Sequence, residues 1–503
     1  MREHWGFALV LVLAAAVRSI AMLAYWGVLW FPDSNSYLAV AVSPQAYPVR
    51  PVAYSFFLRL LMPLHSFAAV AIIQHLMGLA IGLLIYLLLR VRFGVRRWVA
   101  VLATLPVLFD AYQIQLEHML LSDVLFEFLV VVAVVLVLWR PDGIWHVTGA
   151  GLCLGLAAVT RSVALPLLAL FVLYLLVRRR WRSMVSLAAV CVIPVAAYMV
   201  WFHGTWGVYA TSNSDGLFLY SRTMAFADCS VIRVTDEERK KLCTDTPKSE
   251  RTASPNYIWH EGWLGTLSNN EKFTPANNDL AQGFARKAIL AQPYDFVHVS
   301  LYDLKRTFTW DREAYPTVYS SRLYNFLPKL DDLWMNGRPV PDITLGEAVH
   351  TYLNDPHSDG LAKLDPEYAA FMIRYQQLVV LHGTLLLPIL AAGAIMLLSR
   401  LRVAAEAALP WLCGVALLVA PPFVASFGYR YVVPAVPLIC LGLALTFRPR
   451  TAHRAAHRRT VRLTPALGGQ ASAQVGAEVR GGGRDRQAAV HGQDDAGDER
   501  GGG

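Results

Sequence analysis

The chain has 503 residues, of which 55% are hydrophobic and only 16% charged, with 45 Lys and Arg against 36 Asp and Glu for a formal net charge of +9. An average soluble domain carries roughly 25% charged residues, so this composition excludes that class and points to a membrane protein. The positive excess does not by itself imply a nucleic-acid partner, because basic residues also collect in cytoplasmic loops.

Apolar windows of about 16 to 25 residues, long enough to cross a ~30 Å hydrocarbon layer as helices, recur at 5–29, 66–89, 98–112, 122–139, 144–159, 162–177, 184–202, 376–398, 406–423 and 431–447. They predict an all-α polytopic membrane protein with about ten transmembrane helices. The first window is too long for a signal-peptide core and contains Arg18, so it is read as retained. With strict alternation of the spans, Arg2, "RVRFGVRR" (90–97), Arg140, "RRRWR" (178–182), "RLR" (400–402) and the Arg-rich tail from Arg448 all fall on one side. Short loops rich in Lys and Arg are cytoplasmic, which puts both termini there.

The opposite, outward side then receives Asp33, Arg50, the segment "QIQLEHMLLSD" (113–123), Arg161, a large loop at 203–374 and "GYRY" (428–431). The expected organisation is a membrane region with outer loops at 1–202, an extracytoplasmic domain at 203–374, a second membrane region at 375–447 and a cytoplasmic tail at 448–503. The large loop holds 18 Lys and Arg against 22 Asp and Glu, so the positive excess lies elsewhere and nucleic acid is not an expected partner. The tail is rich in Gly, Ala and charge and poor in aromatics, a composition that predicts disorder.

Within the large loop "TDEERKKL" opens with a capping box, Thr235 to Glu238, and "LAQGFARKAILAQ" and "YDFVHVSLYDLKRTF" carry helical apolar spacing, so a mainly helical domain is expected. Cys153, Cys191, Cys413 and Cys440 lie in apolar windows and read as small core residues. Cys229 and Cys243 flank the charged helix on the oxidising side, where a disulfide is expected; the alternative is a pair of free thiols. No CxxC or His cluster marks a metal site; a divalent cation is left open and the cofactor unassigned.

Asp33, in "WFPDSNSYLAVAV", follows the first window directly. It reads either as a functional carboxylate or, with its Ser and Asn neighbours, as a helix N-cap. Glu117, His118 and Asp123 precede the fourth window among Leu116, Met119 and Leu120. They read either as solvated loop residues or as groups with a partner or a task, since a carboxylate among apolar residues near a membrane needs one. Gly151 and Gly155 have the small-xxx-small spacing of close helix packing before Arg161. Arg161 and Arg430 read as interfacial anchors or as phosphate ligands, because a guanidinium fork matches phosphate oxygens and keeps its charge in a dry site. Arg18 is left between snorkelling and pairing.

An outward acid after the first span, "YPVRPVAYSFFLRLL", "QHLMGLAIGLLIYLLLR", an acid-bearing second outer loop and "YRYVVPAVPLICLGLAL" together resemble the GT-C glycosyltransferases. The similarity is greatest to the branch that includes protein O-mannosyltransferases and aminoarabinose transferases. Protein O-mannosyltransferases usually carry an Asp-Glu pair in the first outer loop, whereas Ser34 follows Asp33 here, so the family's catalytic acid carries over to Asp33 alone. The resemblance implies transfer of a sugar from a polyprenyl-phosphate carrier to an envelope glycan, lipid or protein acceptor on the outer face. Asp33 would be the base of an inverting reaction, and Arg50, Glu117, His118, Asp123, Arg161 and Arg430 would bind substrate or phosphate. The alternative is a transporter or flippase of a lipid-linked sugar, whose charged residues near spans would mark a passage.

Overall fold

The computed structural model describes residues 4–333, 335, 342–399 and 404–449; the expected tail beyond residue 449 and the "RLR" cluster lie outside the described residues. Among these, four helices are long and apolar enough to cross a membrane: Trp5–Ala24, Phe67–Arg92, Trp181–Trp206 and Ala405–Val424. Pro366–Leu378 and Gly383–Ser399 make a fifth span if they are taken together across a 49° bend. The count of about ten windows is therefore not reached by length. Ile144–Ala158, Ser162–Val177 and Tyr429–Leu445 are apolar but short. The 98–112 window breaks into Arg97–Leu102 and Leu105–Phe109 ahead of a third helix, Ala111–His118. Pro106 at the start of the second piece lacks the amide hydrogen that a continuous helix would use. Apolar length alone does not register such breaks.

Long apolar side chains such as Leu9, Val12, Ile72, Leu76, Val192, Ile193 and Ile395 are exposed on these helices. An apolar belt of this kind is what a helix presents to hydrocarbon. The helices pack through small residues. A Cβ placed on Gly151 or Gly155 would come within 2.5 Å of the Leu187 carbonyl oxygen or 2.4 Å of that of Cys191. The Ile144–Ala158 helix can therefore lie directly on the backbone of Trp181–Trp206 only because those side chains are absent.

The basic clusters meet at one end of the bundle. Arg92 donates to the Trp139 carbonyl at 2.8 Å, Arg180 pairs with Asp142 at 2.7 Å, and Glu406 is flanked by Arg178 at 3.4 Å and Arg448 at 3.5 Å. The Asp123–Trp139 helix has 17 residues, so its other end lies about 25 Å away at ~1.5 Å per residue. That end carries Asp123, and with it the other charged residues that the alternation groups on the far side.

The segment between Trp181–Trp206 and Gly383–Ser399 is mainly helical, with Asp215–Thr223, Asp236–Leu242, Pro275–Ala291, Pro293–Lys305 and Leu345–Leu353 as its principal elements. The capping box is formed: Thr235 Oγ1 accepts from the Glu238 amide at 3.2 Å and Glu238 Oε2 from the Thr235 amide at 2.7 Å. Cys229 and Cys243 are joined in a disulfide, with Cα atoms 6.1 Å apart. Leu217, Tyr220, Leu264, Phe273 and Phe284 form its core with Tyr198 and Phe202 at the end of the long helix. Each such buried side chain contributes roughly 1.5–3 kcal/mol where the alternative is water. A second tie is a two-residue antiparallel pairing, Tyr25 opposite Leu364 and Trp26 opposite Lys363. These contacts hold the segment over the end of the bundle that bears Asp33 and Asp123.

Candidate active site

Asp33 lies in the first turn of the Pro32–Val42 helix, and of the Asp-Ser-Asn-Ser run expected to cap that helix a neighbour does so. Ser34, not Asp33, makes the capping contact: its Oγ accepts from the Phe31 amide at 3.0 Å and donates to the Leu120 carbonyl at 2.9 Å. The Asp33 carboxylate is held instead by two guanidiniums. Its Oδ2 accepts from Arg430 Nη2 at 2.7 Å and lies 2.8 Å from Arg50 Nη1. The three side chains retain between 12% and 18% exposure, a cluster that is mostly desolvated but not sealed. Burial pushes the Asp33 carboxyl up, but Arg50 and Arg430 outweigh it and hold it well below the ordinary carboxylate range.

A second pair adjoins the first. Arg161 Nη1 contacts Asp123 Oδ1, and the other Asp123 oxygen is buried without a hydrogen-bond partner among the described residues. Tyr431 joins the pairs, since the Arg161 guanidinium lies 4.9 Å and that of Arg430 5.3 Å from its ring centre. Tyr37 makes a second join, with its hydroxyl 2.8 Å from Ser122 Oγ and Arg50 over its ring at 5.3 Å. Stacking on aromatic faces lets like-charged guanidiniums share a small volume. Three cations and two carboxylates leave the cluster with one net positive charge. Of the residues anticipated from sequence, Asp33, Arg50, Asp123, Arg161 and Arg430 are thus brought together; Tyr37 and Tyr431 were not singled out. "GYRY" held the signal for Tyr431, and nothing local marked Tyr37.

Glu117 and His118 are placed differently. They sit in a helix, Ala111–His118, all of whose residues are buried, rather than in a solvated loop. Arg18 grips Glu117 with two parallel bonds of 2.7 Å, Nε to Oε2 and Nη2 to Oε1, and also donates to the carbonyls of Leu108 at 2.7 Å and Val107 at 3.1 Å. His75 Nδ1 lies 2.8 Å from Glu117 Oε2, His75 Nε2 and His118 Nδ1 share a 3.0 Å hydrogen bond, and His118 Nε2 reaches the Tyr25 carbonyl at 2.7 Å. Gln113 Nε2 bridges Glu117 Oε1 and Glu127 Oε2, each at 3.1 Å. Gly78 makes the room: a Cβ there would be 1.9 Å from Glu117 Oε1. Both Glu117 oxygens and both His118 ring nitrogens are hydrogen-bonded within the protein, so the structure places these two residues in an interior network and not in the Asp33–Asp123 ion-pair cluster. Their bonds to Arg18 and to the Tyr25 carbonyl tie the first span and its end to the Ala111–His118 helix. Among the described residues no three His, Cys, Asp or Glu side chains are grouped to hold a metal ion.

Two cavities are lined by chain neighbours of the cluster residues, though by none of the cluster's own side chains. One, of about 260 Å³, is lined by Tyr112, Arg306, Arg312, His382 and Tyr429. The other, of about 240 Å³, touches Phe31, Pro32 and Asn35 on either side of Asp33, with Leu330, Asp331 and Leu333 opposite.

No family profile and no curated protein sequence matches the chain. Among solved structures it is similar to the protein O-mannosyltransferase Pmt1-Pmt2 complex of S. cerevisiae bound to the sugar donor, at 18% identity and TM-score 0.33, over 44% of this chain and 36% of that one. It is similar to the oligosaccharyltransferase of Archaeoglobus fulgidus, at 14% identity and TM-score 0.42, over 90% of this chain and 51% of that one. It is also similar to ArnT of Cupriavidus metallidurans bound to undecaprenyl phosphate, at 14% identity and TM-score 0.34, over 92% and 81%. The chain spans about half the length of the archaeal enzyme and about a third of the yeast one. At these identities and TM-scores it is the residues of this chain that carry a functional argument. The solved structures that resemble it are GT-C glycosyltransferases.

Proposed function

We propose that this protein is a membrane glycosyltransferase of the GT-C type that moves a sugar from a polyprenyl-phosphate carrier to an acceptor hydroxyl on the outer face, with both termini cytoplasmic. The observation that supports this most is the convergence of Asp33 and Arg50 with Arg161 and Arg430, from three distant parts of the chain, in a mostly desolvated cluster at one end of the bundle. Nucleotide sugars are cytoplasmic, so an outward-facing transferase takes a donor already carried through the bilayer.

Asp33 removes the proton of the acceptor hydroxyl as that oxygen bonds to the anomeric carbon. The bond from that carbon to the phosphate oxygen breaks on the opposite face, the phosphate leaves with the electron pair, and the configuration inverts. Phosphate is a good leaving group that needs charge stabilisation more than protonation, which three guanidiniums supply; a glycosidase would need a second carboxylic acid. The net charge of the cluster matches a phosphodiester monoanion. The unpartnered Asp123 oxygen accepts a sugar hydroxyl, and the overlying segment excludes water. The acceptor is an envelope glycan, lipid or protein.

The test is transfer from a labelled polyprenyl-phosphate sugar in membranes. Asp33→Asn is expected to keep expression and fold and to lower turnover ~10²–10⁴-fold, the usual worth of general-base catalysis. Retained turnover overturns the assignment. A transporter or flippase of a lipid-linked sugar would move label across proteoliposomes without forming a glycosidic bond.

A further inference from the structure

In the described molecule the base and the phosphate ligands satisfy one another. Both Arg50 and Arg430 converge on one oxygen of Asp33, at 2.8 and 2.7 Å. Two guanidiniums on a single anionic oxygen is the arrangement in which arginines grip a phosphate oxygen. The environment also suits an exchangeable anion rather than a sealed pair. Asp33, Arg50 and Arg430 are 12% to 18% exposed, whereas the interior pair Arg18–Glu117 is exposed by 3% and 0%. Aromatic faces hold the arginines in place without Asp33: Arg430 lies over Phe31 at 4.9 Å and over Tyr431 at 5.3 Å, and Arg50 over Tyr37 at 5.3 Å. The guanidiniums therefore have supports that do not depend on the identity of their anion.

We infer that Asp33 occupies the phosphate site in the donor-free protein and is displaced from it by the donor's phosphate, so that the base is released only when the donor is bound. The inference rests on the glycosyl-transfer reading for its purpose, and on the ion-pair geometry for its existence. A carboxylate with two guanidiniums on one oxygen is a poor proton acceptor. When the phosphate takes those guanidiniums, their direct contacts to Asp33 are broken and its single negative charge offsets one of their two positive ones, so the carboxylate regains basicity that acceptor deprotonation needs. Donor binding then precedes activation of the acceptor. An acceptor or a water molecule that arrives first meets an inactive base.

The test is phosphate affinity, not turnover. The full-length protein in detergent is titrated with a water-soluble prenyl monophosphate, with inorganic phosphate and with the matching uncharged prenol, and binding is read from the shift in thermal unfolding. Asp33→Asn removes the internal anion and keeps its shape, so it is expected to bind the prenyl phosphate about tenfold more tightly than the parent, since each charge-assisted contact is worth at least that factor. Asp33→Ser is expected to change affinity in the same direction, which guards against an effect peculiar to the amide. Prenol affinity stays unchanged in both. Equal gains with inorganic and prenyl phosphate place recognition in the head group alone; a larger gain with prenyl phosphate adds the chain. Unchanged or weaker phosphate binding in both variants overturns the inference, because a carboxylate that merely positions the arginines would lower affinity when removed. A tighter-binding Asp33→Asn in a protein that transfers no sugar would leave this inference standing and remove the proposed function.

Discussion

Replacing Glu117 by Gln tests the interior network that supports the site. Arg18 is 3% exposed and loses its carboxylate partner in this variant, while its bonds to the Val107 and Leu108 carbonyls remain. Removing one partner of a buried pair leaves an uncompensated charge and costs about 3–5 kcal/mol. That is two to four powers of ten in the folded-to-unfolded ratio, at about 1.4 kcal/mol each. The double variant Arg18→Met with Glu117→Gln removes the stranded cation as well. It is expected to recover about half of the loss, with a coupling of roughly 2 kcal/mol or more, because removing both charges of a buried pair is far cheaper than removing one. The assay is denaturant unfolding of the purified protein in detergent, followed by fluorescence of its 14 tryptophans. Donor affinity of the folded fraction should be unaltered, since both Glu117 oxygens already face protein groups. A cost below about 1 kcal/mol for Glu117→Gln, or a double variant that costs the sum of the two singles, would refute the reasoning.

Burial lowers the Lys272 amine to about 8 from an ordinary value of 10.5, its Nζ donating to the Ile258 carbonyl at 2.6 Å. The unfolded chain therefore binds more protons between those values, so stability should rise with pH from about 8 to 10.5. Lys272→Met should remove that rise in paired melting curves, and an identical pH dependence in parent and variant would count against it. Opening the Cys229–Cys243 bridge, which closes a separation of 14 residues, should cost roughly 3 kcal/mol by the loop-entropy model. It should speed tryptic cleavage at Arg239, Lys240 and Lys241, and unchanged cleavage would show that the bridge does not hold this helix. Gly155→Leu should prevent Ile144–Ala158 from docking, because even a Cβ there meets the Cys191 carbonyl oxygen at 2.4 Å. The expected readout is loss of the folded, monodisperse protein, while the exposed Leu152→Ala is tolerated.

Much of the site was legible because its residues violate their surroundings. Asp33 stands beside an apolar run, Arg430 between two tyrosines and Arg161 between two apolar windows; charge in such places has few bland explanations. Glu117 was legible as a group that needs a partner, but not as one that already had it. The partner, Arg18, is 99 positions away in a helix whose sequence shows only a lone cation.

The sequence by itself determined that the chain is a helical membrane protein and which charged residues group apart from the basic loops, because apolar length and charge are local properties. Tertiary structure alone decided the rest. It broke the 98–112 window at Pro106, buried Ala111–His118, gave the capping contact to Ser34 and set Arg430 on Asp33 across 397 positions. An acid acquires a role from the cations that packing brings to it, and no local pattern encodes a partner that far along the chain.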